Sequence, residues 1–393
     1  MTKQRNIQIL NNIDPKALKD LPKHFNMGQN FDQPDAILVR SAKLHDATFD
    51  KNVKYIGRAG AGTNNIPIDR CSEQGIVVCN APGANANGVK ELVLMALVMA
   101  SRNVFQALQW TESLRGQDQI TEKVEQGKKQ FVGHELQNKK IGVVGLGSVG
   151  GRIANMCVDF GMTVYGYDPY VTLRSAWGVN SQVIYSDDVE TLFRECDFIS
   201  LNIPYTEENH HFVNENLLMH AKPGLKLINM ARDGLVDLQA LKTAIEDGRV
   251  ATYVVDFPEE ATLNMPNTIN IPHLGASTPE SQINAAKMVA NQLEDYLENG
   301  NITNSVNYPD VHLGKLKAKA RITVNHRNIP NMLGQLVDFL RDRDINIATL
   351  ANNHRGDWAY TMIDIDSDID RETLEILEQV EGVVRLRLLR PQD

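Results

Sequence analysis

The stretch that decides the fold is Lys139–Tyr170, KKIGVVGLGSVGGRIANMCVDFGMTVYGYDPY, in which an apolar run leads into a glycine-rich turn. Gly145, Gly147 and Gly150 form the pattern G-x-G-x-x-G between a strand-like segment and a helix-like segment. In such a unit the first glycine permits a tight turn, the second lets the backbone approach a pyrophosphate, and the third lets helix and strand pack closely. The N-terminus of the helix then presents free N–H groups to the phosphates. The stretch therefore predicts a dinucleotide-binding βαβ unit.

Asp168 ends the second strand of this unit, at the distance where an acid binds the adenosine ribose in dinucleotide sites. Its carboxylate can accept hydrogen bonds from both ribose hydroxyls and would repel a 2′-phosphate. The next residues, Pro169 and Tyr170, supply no arginine to compensate for that repulsion. The sequence therefore predicts NAD rather than NADP as the cofactor.

Length and composition limit the other possibilities. A chain of 393 residues is long enough for two or three domains. A formal net charge of -9 argues against general affinity for nucleic acid. The N-terminal segment has no apolar signal core, and the longest apolar run, Leu92–Ala100, is too short to span a membrane. We therefore expect a cytoplasmic protein with no membrane partner.

The four cysteines are scattered and form no CxxC pair, which indicates reduced thiols rather than disulfides or a zinc site. No grouping of histidine, cysteine and carboxylate residues has ligand spacing, so no metal site is expected.

Short apolar strands alternate with helical patterns from Ile141 to Ile271, which indicates a parallel sheet with helices on both faces. Gly83–Trp110 is predicted to form one long helix, and a second long helix is predicted to begin after Thr278 and to end at Gly300. After a segment bearing Pro, Gly and Lys, the last residues follow the order βαββαβ, which predicts a small ferredoxin-like domain.

Three residues near the ends of predicted strands suit hydride transfer from a secondary alcohol beside a carboxylate. His273 is the candidate base for the hydroxyl proton, and Arg232 the candidate cation for the carboxylate. Glu260 is the candidate acid that orients the base, with its neighbour Glu259 as a rival. Each residue could instead have no role in catalysis, because lone histidines and paired acids in loops are usually structural or solvated.

The motifs GLGSVG, YDP, NMARDGLVD, VVDFPEE and PHLGAST, in this order and spacing, resemble the D-isomer-specific 2-hydroxyacid dehydrogenases over nearly the whole chain. The resemblance implies Arg232, Glu260 and His273 as the catalytic set. It also implies further cofactor contacts, with Asp256 at the nicotinamide, Ser148 and Val149 at the pyrophosphate, and Ile203, Pro204, Met230 and Gly275 lining the site.

Two positions depart from the family pattern. Asp233 follows the catalytic arginine where the family usually has glycine, and its charge should weaken affinity for an anionic substrate unless it points away. The segment DFPEE is one residue shorter than the commoner spacing, which favours Glu260 as the acid but leaves Glu259 open.

Within the family, the resemblance is closest to the branch that oxidises D-3-phosphoglycerate. It implies that Arg40 and Ser41 bind the substrate phosphate, although a solvated basic turn is an equal reading of these residues. Small residues around Gly60 can present backbone N–H groups to the substrate carboxylate. Asn85, with Asn80, lies in a segment that resembles the one bordering the substrate.

The resemblance also implies a division into domains. Residues 1–95 and 277–312 would form a discontinuous, flavodoxin-like substrate-binding domain, and 96–276 a doubly wound Rossmann-type NAD-binding domain. Residues 319–393 resemble an ACT module, in which His326, Asn328 and Asn346 occupy positions that bind L-serine as an effector. The alternative is that the first two only form a turn at a helix start.

The expected function is NAD-dependent oxidation of D-3-phosphoglycerate to 3-phosphohydroxypyruvate, the first step of L-serine biosynthesis, with feedback inhibition by L-serine. The family implies a homo-oligomer, dimer or tetramer. A reductase for glyoxylate, hydroxypyruvate or another 2-keto acid is the alternative enzyme, and an NAD-sensing, corepressor-like binding protein is the alternative of another class.

Overall fold

The computed structural model describes residues 4–11 and 13–391 and has an α/β architecture. The chain divides into two compact units, Met1–Ala84 with Gln282–Asp393, and Asn85–Ser281. The predicted fold class is confirmed by two parallel sheets and a separate antiparallel sheet.

The first unit begins with a five-stranded parallel sheet whose order is β2-β1-β3-β4-β5. Its elements are β1 Arg5–Leu10, a 3₁₀ turn at Pro15–Ala17, β2 Phe25–Gly28, β3 Ala36–Val39, β4 Tyr55–Arg58, α1 Ile68–Glu73 and β5 Val77–Cys79. All four residues of β3 are buried, as expected of a central parallel strand covered on both faces. This strand order is that of flavodoxin-like folds.

The second unit carries a seven-stranded sheet in the order β12-β11-β10-β9-β6-β7-β8. Its helices are α2 Ala86–Arg102, α3 Val104–Ser113, α4 Ile120–Gly127, α5 Gly150–Asp159, α6 Leu173–Trp177, α7 Val189–Glu195, α8 Glu215–Met219, α9 Leu238–Glu246 and α10 Glu260–Leu263, with 3₁₀ turns at Lys128–Phe131 and Glu207–Asn209. Its strands are β6 Lys140–Val144, β7 Thr163–Tyr167, β8 Ile184–Tyr185, β9 Phe198–Leu201, β10 Leu225–Asn229, β11 Val250–Val255 and β12 Thr268–Asn270. All pairs are parallel.

This order is that of a doubly wound Rossmann fold, and it reverses between β6 and β9. One hydrophobic core lies on each face of the sheet, because α2 and α5 cover one face and α7, α8 and α9 the other. Ligands of such sheets bind at the carboxyl ends of the strands beside this reversal.

The single long helix predicted over Gly83–Trp110 is wrong, since α2 and α3 are separate and bent by 70°. Asn103 adopts a left-handed conformation with φ 47° between them. Asparagine tolerates this conformation better than other non-glycine residues, and it ends helices for that reason.

The long helix α11 spans Pro279–Asn299, and its predicted ends are confirmed. The first unit resumes within this helix, at Gln282. The Thr278 hydroxyl accepts from the Ser281 amide at 3.1 Å, and Gly300 has φ 76° beyond the last turn. The chain then forms β13 Ala320–Arg327, α12 Met332–Arg341, β14 Ile347–Arg355, β15 Trp358–Ile365, α13 Arg371–Leu377 and β16 Val383–Leu389.

These last strands form an antiparallel sheet in the order β14-β15-β13-β16, the βαββαβ arrangement of ferredoxin-like folds. Residues of one face, such as Ile322 and Val324, pack against α12 and α13. The opposite face packs within the same compact unit on α11, where Tyr360 and Met362 join the core of the first sheet.

Candidate active site

The glycine turn after β6 has the geometry that a dinucleotide requires. Gly145 has φ 86°, and a Cβ there would lie 2.7 Å from the Asn202 carbonyl oxygen. A Cβ on Gly150 would lie 1.8 Å from the Gly145 carbonyl oxygen, so this position needs the bare backbone. At Gly147, by contrast, an added Cβ would have open space within 4 Å among the described residues beyond its chain neighbours. The turn is therefore tight where it packs and open where a pyrophosphate approaches.

Asp168 is fixed beside this turn by two backbone amides. Leu146 N donates to Oδ2 at 2.8 Å, and Tyr170 N donates to Oδ1 at 2.9 Å. Each carboxylate oxygen has a second lone pair, so both can still accept a ribose hydroxyl. The arrangement fits the ribose end of NAD.

The other predicted cofactor residues lie at the carboxyl ends of neighbouring strands in the same unit. Ser148 and Val149 precede α5, and the Val149 carbonyl accepts from Ile153 in its first turn. Ile203 and Pro204 follow β9, and Met230 follows β10. Gly275 is buried, and the Val89 side chain occupies the space that a Cβ at this position would need.

Arg232 lies in a turn directly after β10, and its side chain is exposed. Buried Asn229 shapes this turn, because its side-chain amide donates to the Arg232 carbonyl at 2.9 Å and its oxygen accepts from Ala231 N at 3.1 Å. The role of Asn229 was not predicted, although an asparagine that ends a buried strand often bonds the backbone two residues on.

Asp256 follows β11 and is the buried acid of the site, with 1% of its surface exposed. Burial raises its pKa to about 6, and the nearby charges of His273 and Arg232 partly oppose that rise. Its Oδ1 atom has no hydrogen-bond partner within residues 4–11 and 13–391. An orphaned buried oxygen at this place fits a donor on a bound ligand, as the amide of a nicotinamide would provide.

His273 is exposed in the loop after β12, where its ring lies 4.5 Å from the ring of Phe257 between centroids. His273 and Arg232 are both close enough for their charges to act on the Asp256 carboxyl. Phe257 was not predicted as a neighbour, because only the tertiary packing brings its ring to the histidine.

The two candidate acids stand at the start of α10. Glu259 is the N-cap, with its backbone N–H donating to Thr262 Oγ1 at 3.0 Å, and Glu260 is the first helical residue. Both are exposed, and neither forms a hydrogen bond or ion pair with His273 in the part of the chain described. Asp233 is exposed beside Arg232.

In the first unit, the predicted substrate residue Arg40 lies near a second arginine, Arg58. Arg40 follows β3, and Arg58, which was not predicted, ends β4. Burial and the neighbouring charge of Arg40 lower the pKa of Arg58. The Arg58 guanidinium also lies against Gly60, which has φ 156° and no room for a Cβ. Ser41 is exposed nearby.

Two more predicted substrate residues lie near the point in the chain where the first unit passes into the second. Asn80 donates through its side-chain amide to the Ala61 carbonyl in the first unit. Asn85 precedes α2 in the second unit, as the residue before its first turn.

The predicted effector residues differ in exposure. His326 is buried in β13, where one ring nitrogen contacts the Arg327 carbonyl and the other contacts Thr361 Oγ1, each at 2.8 Å. Asn328 donates to the Gly356 carbonyl at 3.2 Å. Asn346 is exposed just before the edge strand β14.

The four cysteines are free and buried, and burial raises the pKa of Cys71, Cys157 and Cys196 to about 12. Within the described ranges, no group of three or more His, Cys, Asp and Glu side chains is arranged to hold a metal ion. Among the described helices, none alone has the length and apolar character to cross a membrane, and only the bent pair α2–α3 meets that test jointly.

Residues 94–275 match the NAD-binding domain of the D-isomer specific 2-hydroxyacid dehydrogenases, which confirms the prediction of an NAD site. A D-3-phosphoglycerate dehydrogenase of Methanocaldococcus jannaschii is 34% identical over 79% of this chain, and the chain spans only 58% of that protein. The D-3-phosphoglycerate dehydrogenase of Escherichia coli (strain K12) is 31% identical over 85% of this chain and 81% of its own length.

Among solved structures, NAD+-bound 3-phosphoglycerate dehydrogenase of Entamoeba histolytica superposes with a TM-score of 0.56 at 26% identity. It covers 77% of this chain and 99% of the other. The match of residues 94–275 and the identity to the Escherichia coli relative show that the chain belongs to the D-isomer specific 2-hydroxyacid dehydrogenases.

Proposed function

We propose that the protein oxidises D-3-phosphoglycerate to 3-phosphohydroxypyruvate with NAD, the first step of L-serine biosynthesis. The observation that carries the proposal is the grouping of His273, Arg232 and buried Asp256 in the unit that holds the glycine turn. The relatives named D-3-phosphoglycerate dehydrogenase support the choice of substrate.

In this mechanism a ring nitrogen of His273 takes the proton of the substrate hydroxyl. Arg232 binds the adjoining carboxylate and polarises the carbonyl that forms. The charge of Asp256 interacts with that of His273, and Glu260, or Glu259, orients the ring in the liganded protein. NAD, when bound, supplies the acceptor for the hydride.

The phosphate of the substrate would be bound by Arg40 and Arg58. Arg40 lies close enough for its charge to lower the pKa of Arg58, so the two guanidiniums repel each other. A phosphate bound between them would relieve that repulsion. The Arg58 Nε atom is buried without a partner in the described part of the chain, so it is free to donate. Ser41 and the backbone near Gly60 add polar contacts to the same anion.

Asp168 favours NAD over NADP, because backbone donors hold both of its oxygens, and the donor to Oδ2 is Leu146 N in the glycine turn. Replacing it with Ser should lower the ratio of kcat/KM for NAD to that for NADP. An unchanged ratio would contradict this role.

The C-terminal sheet is proposed as an ACT module that binds L-serine, and the protein as a cytoplasmic homo-oligomer. Asn346 is exposed and suits an amino-acid ligand, whereas both nitrogens of His326 are already engaged in the structure. Binding of serine through His326 would therefore require its contact with Thr361 to open. Calorimetry with L-serine on the wild type and Asn346→Ala tests this part separately.

The rate of NADH formation tests the activity. The proposal predicts turnover with D-3-phosphoglycerate well above that with D-lactate or glycerate. Faster reduction of glyoxylate or hydroxypyruvate would favour a 2-keto acid reductase. Tight NADH binding with no turnover of any of these acids would favour an NAD-sensing binding protein.

A further inference from the structure

The loop of residues 205–211, which follows β9, lies directly on the turn that carries Arg232. The ring of Tyr205 lies so close to Gly234 that a Cβ there would be 2.8 Å from its Cε2 atom. The backbone N–H of His211 donates to the Gly234 carbonyl at 2.8 Å. The 205–211 loop therefore supports the Arg232 turn from its outer side.

The inner side of the same turn is held by Asn229, which bonds both Ala231 N and the Arg232 carbonyl. The Arg232 side chain itself donates only to the neighbouring Ala231 carbonyl, at 2.6 Å, among the contacts of the described residues. The place of the guanidinium consequently depends on the backbone of the turn, which is fixed between Asn229 and the 205–211 loop.

The 205–211 loop is built to keep one conformation. Asn209 accepts from Thr206 N at 2.7 Å and donates to the Pro204 carbonyl at 2.6 Å, which closes the loop on itself. Tyr205 Oη lies 3.2 Å from His210 Nδ1, and the rings of His210 and His211 stack at 3.8 Å.

His211 reaches its hydrogen bond to Gly234 with φ 53°, the left-handed region. This conformation is unfavourable for a non-glycine residue. Such backbone strain persists only where the surrounding contacts impose it, and it is concentrated at functional sites. The strain at His211 thus accompanies a backbone hydrogen bond that ties the loop to the Arg232 turn.

We propose that Tyr205 is a positioning residue for Arg232. Its ring packs against Gly234 and stops the turn from moving away from the substrate carboxylate. The inference rests on the proposed role of Arg232 and concerns a residue that does not itself touch the reacting atoms. A small displacement of a carboxylate-binding group is enough to weaken binding and alignment substantially.

The test compares Tyr205→Ala, which removes the ring, with Tyr205→Phe, which keeps the ring and loses the contact with His210. Tyr205→Ala is expected to raise KM for the hydroxy acid about tenfold, with an unchanged Tm and an unchanged Kd for NADH. Tyr205→Phe should restore KM to within about twofold of the wild type. Met219→Ala, on an exposed position of α8 in the same unit, is the control and should change nothing.

A second measurement separates this inference from the proposed reaction. Calorimetry of oxalate binding to the NADH-loaded protein reports the carboxylate site without turnover, and Tyr205→Ala should weaken that binding by the same factor. If the wild type does not oxidise D-3-phosphoglycerate but oxalate binding responds as stated, the proposed function fails and the positioning role stands. Unchanged KM and oxalate affinity in Tyr205→Ala, or an equal loss of NADH affinity, would overturn the role of Tyr205.

Discussion

At the scale of single residues, the chemistry of the site depends most on one buried acid. Asp256 is almost fully enclosed, lacks a partner for Oδ1 among the described residues, and has a pKa raised from 3.8 to about 6 by burial. A carboxyl group with a raised pKa binds its proton more tightly in the folded state than in the unfolded state. Its contribution to stability is therefore complete below the unfolded value and is lost as the pH rises through about 6.

Asp256→Asn should accordingly stabilise the protein at neutral pH by an amount on the order of 3 kcal/mol. The gain should shrink as the pH falls through 6 and vanish below 3.8, because the wild-type carboxyl is then protonated in both states. Urea unfolding of the wild type and of Asp256→Asn across this pH range measures the difference in the free energy of unfolding. A gain that does not change with pH would contradict the account, and the exposed Asp233→Asn is the control.

Residue types alone identified His273 and Arg232 as candidates, since few side chains can act as base and carboxylate anchor after a strand. They did not identify Asn229, Arg58 or Tyr205. Asn229 bonds the backbone two and three residues on, a local pattern that an asparagine at the end of a buried strand could have suggested. Tyr205 contacts Gly234 from a different loop, and Arg58 stands out only once its Nε is known to be buried without a partner in the described part of the chain. These last two signals arise from tertiary packing and leave no local pattern.

At the scale of elements, the three glycines of the turn after β6 have different roles: Gly145 and Gly150 allow close packing, and Gly147 leaves room for the cofactor. Gly150 packs against the Gly145 carbonyl, whereas Gly147 faces open space. The packing at Gly150 is needed for the protein to fold, whereas the space at Gly147 is needed only when a pyrophosphate binds.

Alanine at these two positions should therefore have opposite effects. Gly147→Ala should keep the wild-type Tm and weaken NADH binding by at least about tenfold, because the methyl group occupies the approach of the pyrophosphate. Gly150→Ala should lower the Tm, because its Cβ would lie 1.8 Å from a carbonyl oxygen. Thermal unfolding and NADH fluorescence titration of both variants measure the contrast, and equal loss of Tm in the two would refute it.

Sequence patterning predicted the strands and helices of this unit well, since buried parallel strands read as short apolar runs. It failed at Asn103, where apolar residues continue on both sides of the break. Asparagine is common at helix ends, so Asn103 could have suggested a break after Arg102. The sequence did not show that the chain bends there, because the bend is seen only in the direction of α3.

At the scale of the whole molecule, the C-terminal sheet is joined to α11 through the last carbonyls of that helix. Arg387 donates to the Tyr296 and Leu297 carbonyls at 3.0–3.2 Å. Arg321 donates to the Asn299 carbonyl at 2.7 Å, and Tyr360 to the Gly300 carbonyl at 2.7 Å. These are carbonyls that a helix cannot satisfy internally, and cations are favoured at this end of its dipole.

Arg387→Met should destabilise the protein by about 1–3 kcal/mol, because it leaves buried helix carbonyls without donors. Arg371→Met, which removes an exposed pair with Glu375 on α13, should change stability by less than about 0.5 kcal/mol. Urea unfolding of the two variants is the measurement, and equal effects would mean that these carbonyls do not hold the sheet to α11. The sequence predicted the order of the module but not this attachment, since its arginines alternate along β16 like those of a solvated strand.

The central claim is that His273 accepts the substrate proton during oxidation of D-3-phosphoglycerate. The direct test is the initial rate of NADH formation from D-3-phosphoglycerate and NAD by the wild type and by His273→Asn. We predict turnover by the wild type and a loss of about 10²–10⁴-fold in kcat for the variant, with NADH affinity retained. A wild type that forms no NADH from this acid, or a variant that turns over at the wild-type rate, would contradict the account.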